Sequence, residues 1–370
     1  MIRSLAIAGY RSIRDLRVEL APVNVFVGAN GSGKTNLYNA LRLPARASHG
    51  GLARALGEEG GMPSLLWAGG DRRRTTRGKP PVRVKVSVVL DELSYALELG
   101  LPIPSLSMFQ LDPDLKEERI WVGEKPRPST TLLERLAQSC SVTDDAGERV
   151  HYPLSLSSSE SVLSQLVEPH RYPEVSKLRE IFAQWRFYHH FRTDAAAALR
   201  QPQIGVRTTA LSDSGDDLAA ALQTIVEIGD AEGMHAAIAN ALHGAQLDVR
   251  AQDGWFDIAL SMPGIKRPLG ARELSDGTLR FLCLLAALLS PRPPVLLAFN
   301  EPETSLHEDL LEPLAQLFAR AAKSSQLLIT THSLRLAGLV GELTGAQPTL
   351  LELHDGETRI GGERAWYDAY

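Results

Sequence analysis

The sequence has few cysteines, no long hydrophobic run and no excess of positive charge. Cys140 and Cys283 are the two cysteines of its 370 residues, and neither has histidines or cysteines clustered near it. This pattern excludes a disulfide framework and a zinc site, and it favours a reducing compartment. The net charge of −5 excludes a general polycation, so any binding of nucleic acid must come from a local basic patch.

Signals for secretion and membrane insertion are also missing. The opening MIRSLAIAGYRS contains too short an apolar run for a signal peptide. The longest apolar run, residues 281–289, is far shorter than the roughly 18 residues that a membrane span requires. A composition of 44% apolar and 22% charged residues is that of a globular chain with a substantial core. We therefore expect a cytoplasmic protein that does not contact a membrane.

The distribution of apolar residues divides the chain into three segments. Residues 23–27 form a short apolar strand, and residues 82–90 alternate valine with polar side chains, so we predict a sheet over roughly residues 80–102. Prolines and serines then interrupt short helical patterns such as STTLLERLAQS and VSKLREIFAQWRFY, with no sustained heptads. The predicted division is residues 1–104, a mostly helical insertion at 105–204, and residues 205–370.

A phosphate-binding loop is the strongest motif in the chain. Residues 28–35, GANGSGKT, match all eight positions of the pattern and lie between a predicted strand and a predicted helix. Glycines let backbone N–H groups turn towards phosphates, Lys34 adds a positive charge, and the Thr35 hydroxyl can ligate Mg²⁺. The predicted nucleotide contacts are Gly28, Ala29, Asn30, Gly31, Ser32, Gly33, Lys34, Thr35 and Asn36.

A second motif, ELSDGT at residues 273–278, begins an apolar helix. Ser275 is a favourable N-cap, so on its own the motif indicates only the start of a helix. It lies about 25 residues before Asn300-Glu301, which is the order found in ABC-type ATPases. In that interpretation the Ser275 hydroxyl and the Gly277 N–H contact a γ-phosphate held by another subunit.

Two further motifs lie at the ends of predicted strands. VLLAFNEPETSLH is a buried strand followed by Asn300 and by Glu301, at the position of a general base for the attack of water. LLITTHS is a strand followed by His332, about 30 residues further on. A lone histidine at a strand end is commonly structural, but in this order we favour a place near the γ-phosphate.

Taken in order, the four motifs resemble those of an ABC-type ATPase head of the RecF/SMC-like branch, specifically the small bacterial RecF-like AAA-family ATPases that lack a coiled coil. The resemblance covers about residues 1–100 and 205–355. It implies an α/β P-loop NTPase fold, whose two parts are residues 1–104 and 205–370. The opening SLAIAGYRSIRDLRVEL resembles the first strand pair of that branch, in which an Arg-Ser such as Arg11-Ser12 approaches the nucleotide.

The resemblance also implies a mechanism. Lys34, Glu301 and His332 are the expected catalytic residues, and Thr35 and Asn300 the expected Mg²⁺ ligands. Position 300 is usually Asp or Glu in the family, so Asn300 removes a negative charge and predicts weaker Mg²⁺ binding and slow hydrolysis. ATP is expected to close a homodimer in which Ser275 and Gly277 of one subunit cap the γ-phosphate of the other. A clamp that binds ATP with little hydrolysis is the alternative.

The sequence does not place the glutamine loop that normally links the metal site to the inserted domain. Gln201 and Gln203 lie near the end of the insertion, although polar residues in such a loop need no functional explanation.

The biological role stays open. One hypothesis is a DNA-associated ATPase of repair or genome maintenance that contacts duplex DNA through its one dense basic cluster, for which a solvated loop is the commoner role. The cluster consists of Arg72, Arg73, Arg74, Arg77 and Lys79.

The other hypothesis is an ATPase subunit of an anti-phage or toxin-type defence system. Since about 40 residues follow His332, too few for a nuclease module such as the Toprim domain of OLD-type proteins, a separate effector is expected. The insertion and the SDGT motif argue against a transporter subunit, and a simple kinase has no use for the signature motif.

Overall fold

The computed structural model describes residues 1–69, 83–104 and 106–361. The strands are β1 (Ile2–Tyr10), β2 (Ile13–Glu19), β3 (Val23–Val27), β4 (Val84–Leu90), β5 (Leu93–Gly100), β6 (Asp114–Val122), β7 (Thr131–Leu136), β8 (Ser139–Thr143), β9 (Arg149–His151), β10 (Arg186–Tyr188), β11 (Gln203–Ile204), β12 (Gln246–Gln252), β13 (Trp255–Ser261), β14 (Leu269–Gly270), β15 (Leu296–Asn300), β16 (Gln326–Thr331), β17 (Thr349–His354) and β18 (Glu357–Ile360). The helices are α1 (Lys34–His49), α2 (Leu52–Glu58), α3 (Met62–Leu65), α4 (Val162–Gln165), α5 (Pro173–Ala183), α6 (Leu218–Ile228), α7 (Ala231–Ala241), α8 (Asp276–Leu288), α9 (Leu311–Ala321) and α10 (Leu334–Thr344).

The chain forms two compact units, and it enters and leaves each of them more than once. Of the described residues, the first unit contains those within 1–21, 28–185 and 350–361, and the second contains 22–27 and 186–349. Neither boundary of the predicted segments, 104 or 204, coincides with a unit boundary. The division into three segments therefore stays a prediction.

The first unit is built on an antiparallel sheet of eight strands in the order β2-β1-β4-β5-β6-β7-β8-β9. The predicted strand with alternating valines is confirmed as β4, where Val84, Val86 and Val88 are buried. It pairs with β5 so that Val84 lies opposite Leu99, which confirms the sheet predicted over roughly residues 80–102 for the described part of that range, from residue 83 onward. The hairpin of β17 and β18 belongs to the same unit.

The prediction of a mostly helical insertion at residues 105–204 is wrong. Strands β6 to β9 continue the antiparallel sheet, and α4 and α5 are the α-helices that the structure shows within the described part of this range. VSKLREIFA is helical as predicted, within α5, but STTLLERLAQS forms β7 and the start of β8. The signal was hidden because Arg135 faces inward on β7, where its guanidinium pairs with the equally buried Glu118 at 3.0 Å. An inward charge of this kind breaks the polar and apolar alternation that marks a strand.

The second unit contains a parallel sheet in the order β10-β15-β16-β3. All residues of β3, β15 and β16 are buried, as expected for parallel strands covered on both faces. The register places Asn300 opposite Thr330, and Thr331 opposite Val27, so the carboxyl ends of three strands share one edge. The segments DVRAQ and WFDIAL lie in β12 and β13, which pair antiparallel.

No helix within the three described ranges is long and apolar enough to span a bilayer.

Candidate functional site

The phosphate loop, residues 28–35, is held closed by its own lysine. Lys34 Nζ donates hydrogen bonds to the carbonyl oxygens of Gly28 (2.6 Å) and Ala29 (2.9 Å). Gly33 has φ 99°, and a Cβ there would lie 2.0 Å from Thr358 Oγ1. Gly31 has φ 81° but faces open space. Glycine at 33 is required both by its dihedral angle and by the lack of space for a Cβ, whereas glycine at 31 is required by its dihedral angle alone.

The same loop fits a triphosphate with Mg²⁺. The Ser32 hydroxyl is buried and has no hydrogen-bond partner among the described residues, so it is placed to bond to a ligand in the loop. Helix α1 follows directly, with no side-chain cap and no acidic residue in its first turn. Its N-terminal N–H groups and dipole therefore favour an anion. The half-buried Thr35 lies in this first turn, where its hydroxyl would hold the metal.

Ser12 and Asn36, both predicted nucleotide contacts, lie side by side in the first unit. Asn36 Nδ2 donates to Ser12 Oγ at 2.7 Å, and Ser12 Oγ is also 2.7 Å from Thr358 Oγ1. Arg11, with φ 48°, pairs instead with Glu59 at 2.7 Å. Thr358 carries no motif and lies far away in sequence, so sequence reasoning missed it.

The second group of predicted residues, here called the carboxylate corner, comprises Asn300, Glu301, Glu303 and His332 in the second unit. Asn300 is 3% exposed, and both ends of its amide are occupied. Its Oδ1 accepts a hydrogen bond from Thr330 Oγ1 (2.7 Å), and its Nδ2 donates to Nδ1 of His189 (2.8 Å). An aspartate could accept the first bond but could not donate the second.

His189 lies one residue beyond β10, the strand that pairs in parallel with β15. Sequence reasoning assigned it no chemistry, although a histidine pair after a strand was a signal available at 189 and 190. The two glutamines considered for the glutamine loop form hydrogen bonds elsewhere in the second unit. Gln203 Oε1 accepts from the Ala219 N–H at 2.7 Å, and Gln201 Oε1 accepts from Arg272. In the second unit it is therefore His189, and neither glutamine, that bonds to Asn300.

Glu301 and His332 are brought together as predicted. The Glu301 carboxylate lies 4.0 Å from His332 Nδ1. Its backbone has φ 50°, a strained conformation for a residue other than glycine that costs on the order of 1–3 kcal/mol. The hydrogen bond from Glu301 N to Thr330 O, 2.8 Å, fixes that backbone to the neighbouring strand. A half-buried carboxylate aimed from a strained turn is suited to accept a proton from water.

Glu303 holds the strand end that carries His332. Its Oε1 accepts from Thr331 Oγ1 (2.5 Å) and from the backbone N–H groups of His332 (3.0 Å) and Ser333 (3.3 Å), and it lies 3.1 Å from His332 Nδ1. Its other oxygen, Oε2, is buried without a partner in the described part of the chain. Glu303 is thus the structural support of this corner.

The signature loop, residues 273–278, begins helix α8. Ser275 Oγ accepts from the Thr278 N–H at 3.1 Å, which confirms the N-cap. A Cβ on Gly277 would lie 2.7 Å from the carbonyl oxygen of Ser305, so the loop packs against the turn that follows Glu303. Ser275 is exposed and available to another molecule. The basic cluster at residues 72–79 lies outside the described residues.

Solved structures of similar fold define the class of the chain. An SMC head bound to the C-terminal winged-helix domain of ScpA has a TM-score of 0.54 at 14% identity, covering 97% of each chain. The Smc head of Pyrococcus furiosus, with an extended coiled coil and bound to the C-terminal domain of ScpA, has a TM-score of 0.52 at 14% identity, covering 100% of this chain and 98% of that one. With the phosphate loop and the carboxylate corner, this fold is that of an ABC-type ATPase head of the RecF/SMC-like branch.

The family follows from sequence. The family model for an AAA domain, described as a putative AbiEii toxin of a type IV toxin–antitoxin system, matches residues 23–337, and the chain belongs to this family. The DNA replication and repair protein RecF of Heliobacterium modesticaldum is 49% identical over 43 residues. That match spans 11% of this chain and 12% of RecF.

Proposed function

We propose that the protein binds ATP with Mg²⁺, hydrolyses it slowly, and uses ATP to close a homodimer. The observation that carries this proposal is the phosphate loop, in which Gly33 leaves no room for a Cβ and the buried Ser32 hydroxyl has no partner in the part of the chain that the structure describes. Membership of an AAA family supports the assignment of ATP rather than another phosphate compound.

Each residue has a proposed role. Gly28, Ala29, Asn30, Gly31, Ser32, Gly33, Lys34, Thr35 and Asn36 bind the phosphates, and Arg11 and Ser12 support the nucleotide. Thr35 would hold Mg²⁺ directly, and Asn300, whose Oδ1 already accepts from Thr330, would hold it through a water molecule; the ion neutralises phosphate charge when bound. Glu301 accepts a proton from the attacking water as the bond between the γ-phosphorus and the ADP oxygen breaks, and His332 steadies the water and γ-phosphate by hydrogen bonding. Ser275 and Gly277 of the second subunit cap the γ-phosphate.

Slow turnover follows from Asn300. Its amide is neutral and its N–H is committed to His189, so it adds no charge beside Mg²⁺. We expect Glu301→Gln to lower turnover about 100-fold or more while ATP binding is kept. Asn300→Asp should lower the Mg²⁺ concentration needed for half-maximal turnover. Steady-state phosphate release measures both, and wild-type turnover no higher than that of Glu301→Gln would overturn the enzymatic role.

The dimer is tested separately. Light scattering should show that Glu301→Gln doubles in mass with ATP and Mg²⁺, because both caps stay in place when hydrolysis is blocked. Lys34→Ala is the matched control and should remain monomeric. A monomeric Glu301→Gln protein at saturating ATP would contradict the dimer.

For the process served, we propose DNA maintenance in the cytoplasm, since the partial relative is named a DNA replication and repair protein. The family description, a putative toxin of a toxin–antitoxin system, favours instead an ATPase that gates a separate effector in defence. Retention on immobilised duplex DNA at rising salt, with Arg72, Arg73, Arg74, Arg77 and Lys79 changed to alanine as the comparison, separates them. DNA contact is supported if the wild type is retained and the variant is retained less. It is contradicted if the wild type is not retained.

A further inference from the structure

One segment of the second unit, residues 189–200, contacts two parts of the ATPase machinery that are far apart in sequence. At its start, His189 bonds to Asn300 of the carboxylate corner, 111 residues away. At its end, Arg200 bonds to Asp276 of the signature loop, 76 residues away. Neither residue belongs to one of the four motifs on which the predicted ATPase site depends.

Most hydrogen bonds of Arg200 go to the signature loop and to the residues just before it. Its side chain is 10% exposed. Nη1 donates to the carbonyl oxygens of Leu274 (2.7 Å), Ala271 (3.1 Å) and Arg272 (3.3 Å). Nη2 donates to Asp276 Oδ1 at 2.6 Å, while Nε donates to Thr193 O at 2.7 Å within the segment itself. One planar guanidinium therefore fixes the backbone that leads into Ser275, a task that the single ammonium of lysine cannot perform.

The stretch between the two contacts is anchored rather than free. Phe191, Ala197 and Leu199 are buried, each 2% exposed or less. Tyr188, next to His189, donates through its hydroxyl to Leu211 O at 2.8 Å and packs on Phe299 of β15 with ring centroids 5.2 Å apart. These contacts anchor both ends of the segment, whereas Ala195, Ala196 and Ala198 between them are exposed.

We propose that residues 189–200 position both the carboxylate corner of a subunit and the signature loop of the same subunit, with His189 and Arg200 as positioning residues at its two ends. The inference rests on the proposed ATP-gated dimer. In that dimer the two ends serve different nucleotides. His189 orients Asn300 at the subunit's own ATP, whereas Arg200 shapes the loop that caps the partner's ATP.

This division gives a complementation test with mixed dimers of the full-length protein. The variants are Arg200→Ala, Arg200→Lys, His189→Ala and Lys34→Ala, each expected to have little turnover alone. Arg207→Ala is the matched control, because Arg207 makes an exposed ion pair with Glu227 in the same unit. Each protein is first checked for its melting temperature, and Arg200→Ala for ATP binding equal to wild type, which a misfolded variant would lose.

The expected recovery of turnover differs between pairs of variants. Arg200→Ala mixed with His189→Ala should regain about a quarter of wild-type turnover, since half of the randomly formed dimers are mixed and each holds one complete site. Arg200→Ala mixed with Lys34→Ala should also regain turnover, although Lys34→Ala alone stays monomeric, because the mixed dimer holds ATP in its one complete site. Lys34→Ala mixed with His189→Ala should regain nothing, because in every dimer both nucleotides lack a complete pocket. ATP retained in the dimer fraction gives a second readout, independent of hydrolysis. Arg200→Lys should behave as Arg200→Ala does.

Failure of the inference is distinguishable from failure of the proposed function. If Glu301→Gln does not dimerise with ATP, the dimer itself is wrong. If it dimerises but Arg200→Ala keeps wild-type turnover and ATP retention, or is not rescued by Lys34→Ala, the role of Arg200 on the partner's nucleotide is overturned. Rescue of His189→Ala by Lys34→Ala would overturn the role of His189 at its own site.

Discussion

The phosphate loop and the carboxylate corner differ in what holds them in shape. The loop is shaped by its backbone: glycines supply the dihedral angles and Lys34 ties two carbonyl groups of the same loop together. The corner is shaped by side chains from separate parts of the second unit, with Asn300 held by His189 and Thr330 and the end of β16 held by Glu303. A site made from backbone depends on few residue types, whereas a site made from side chains depends on each pairing.

The largest expected effect is at the loop. Gly33→Ala adds a Cβ 2.0 Å from Thr358 Oγ1 at φ 99°, so the loop must distort and ATP affinity should fall by about 100-fold or more, a loss of roughly 3 kcal/mol. Gly31→Ala is the matched control, because it has the dihedral strain without the clash and should lose only about tenfold. Calorimetric titration with ATP measures both. Equal losses would show that dihedral strain alone shapes the loop.

The next effect is at the corner. Glu303→Ala leaves the hydroxyl of Thr331 and the N–H of His332 without their acceptor, whereas the Ser333 N–H keeps Thr331 Oγ1 at 2.9 Å, so the free energy of unfolding should fall by about 2 kcal/mol. Glu308→Ala, which removes an exposed ion pair with Arg335, should change it by less than about 1 kcal/mol. Urea denaturation provides the comparison. Similar values for the two variants would mean that Glu303 does not support β16.

The smallest expected effect is on the labelling rates of the two cysteines, one of which lies in each unit. Burial raises the pKa of Cys140 to about 12 and also raises that of Cys283, so neither thiol forms the reactive thiolate at pH 8 while its unit is closed. Iodoacetamide labelling followed by peptide mass analysis then reports the opening of each unit. Glu303→Ala should accelerate labelling of Cys283 severalfold more than that of Cys140. Equal acceleration would show that the units open together.

The difference between the phosphate loop and the carboxylate corner also explains which features could be predicted from the sequence. The loop, the N-cap at Ser275 and the strand ends at Asn300 and His332 depend on local pattern, and each lies where it was predicted. The buried pair of Glu118 and Arg135 made a strand look helical, because a charge that faces a core gives no periodic signal. His189 acts on a residue 111 positions away, and no local pattern records such a distance.

The placement of β3 has a consequence for how the protein is made. Residues 22–27 belong to the second unit, where Asn24 lies opposite Leu328 on β16. At roughly 5–20 residues per second, β3 leaves the ribosome tens of seconds before β16 exists. The eight-stranded sheet of the first unit can assemble in the meantime, but the apolar VNVFV segment has no strand to join. Nascent chains should therefore be most prone to chaperone capture around β3, until β16 has been synthesised.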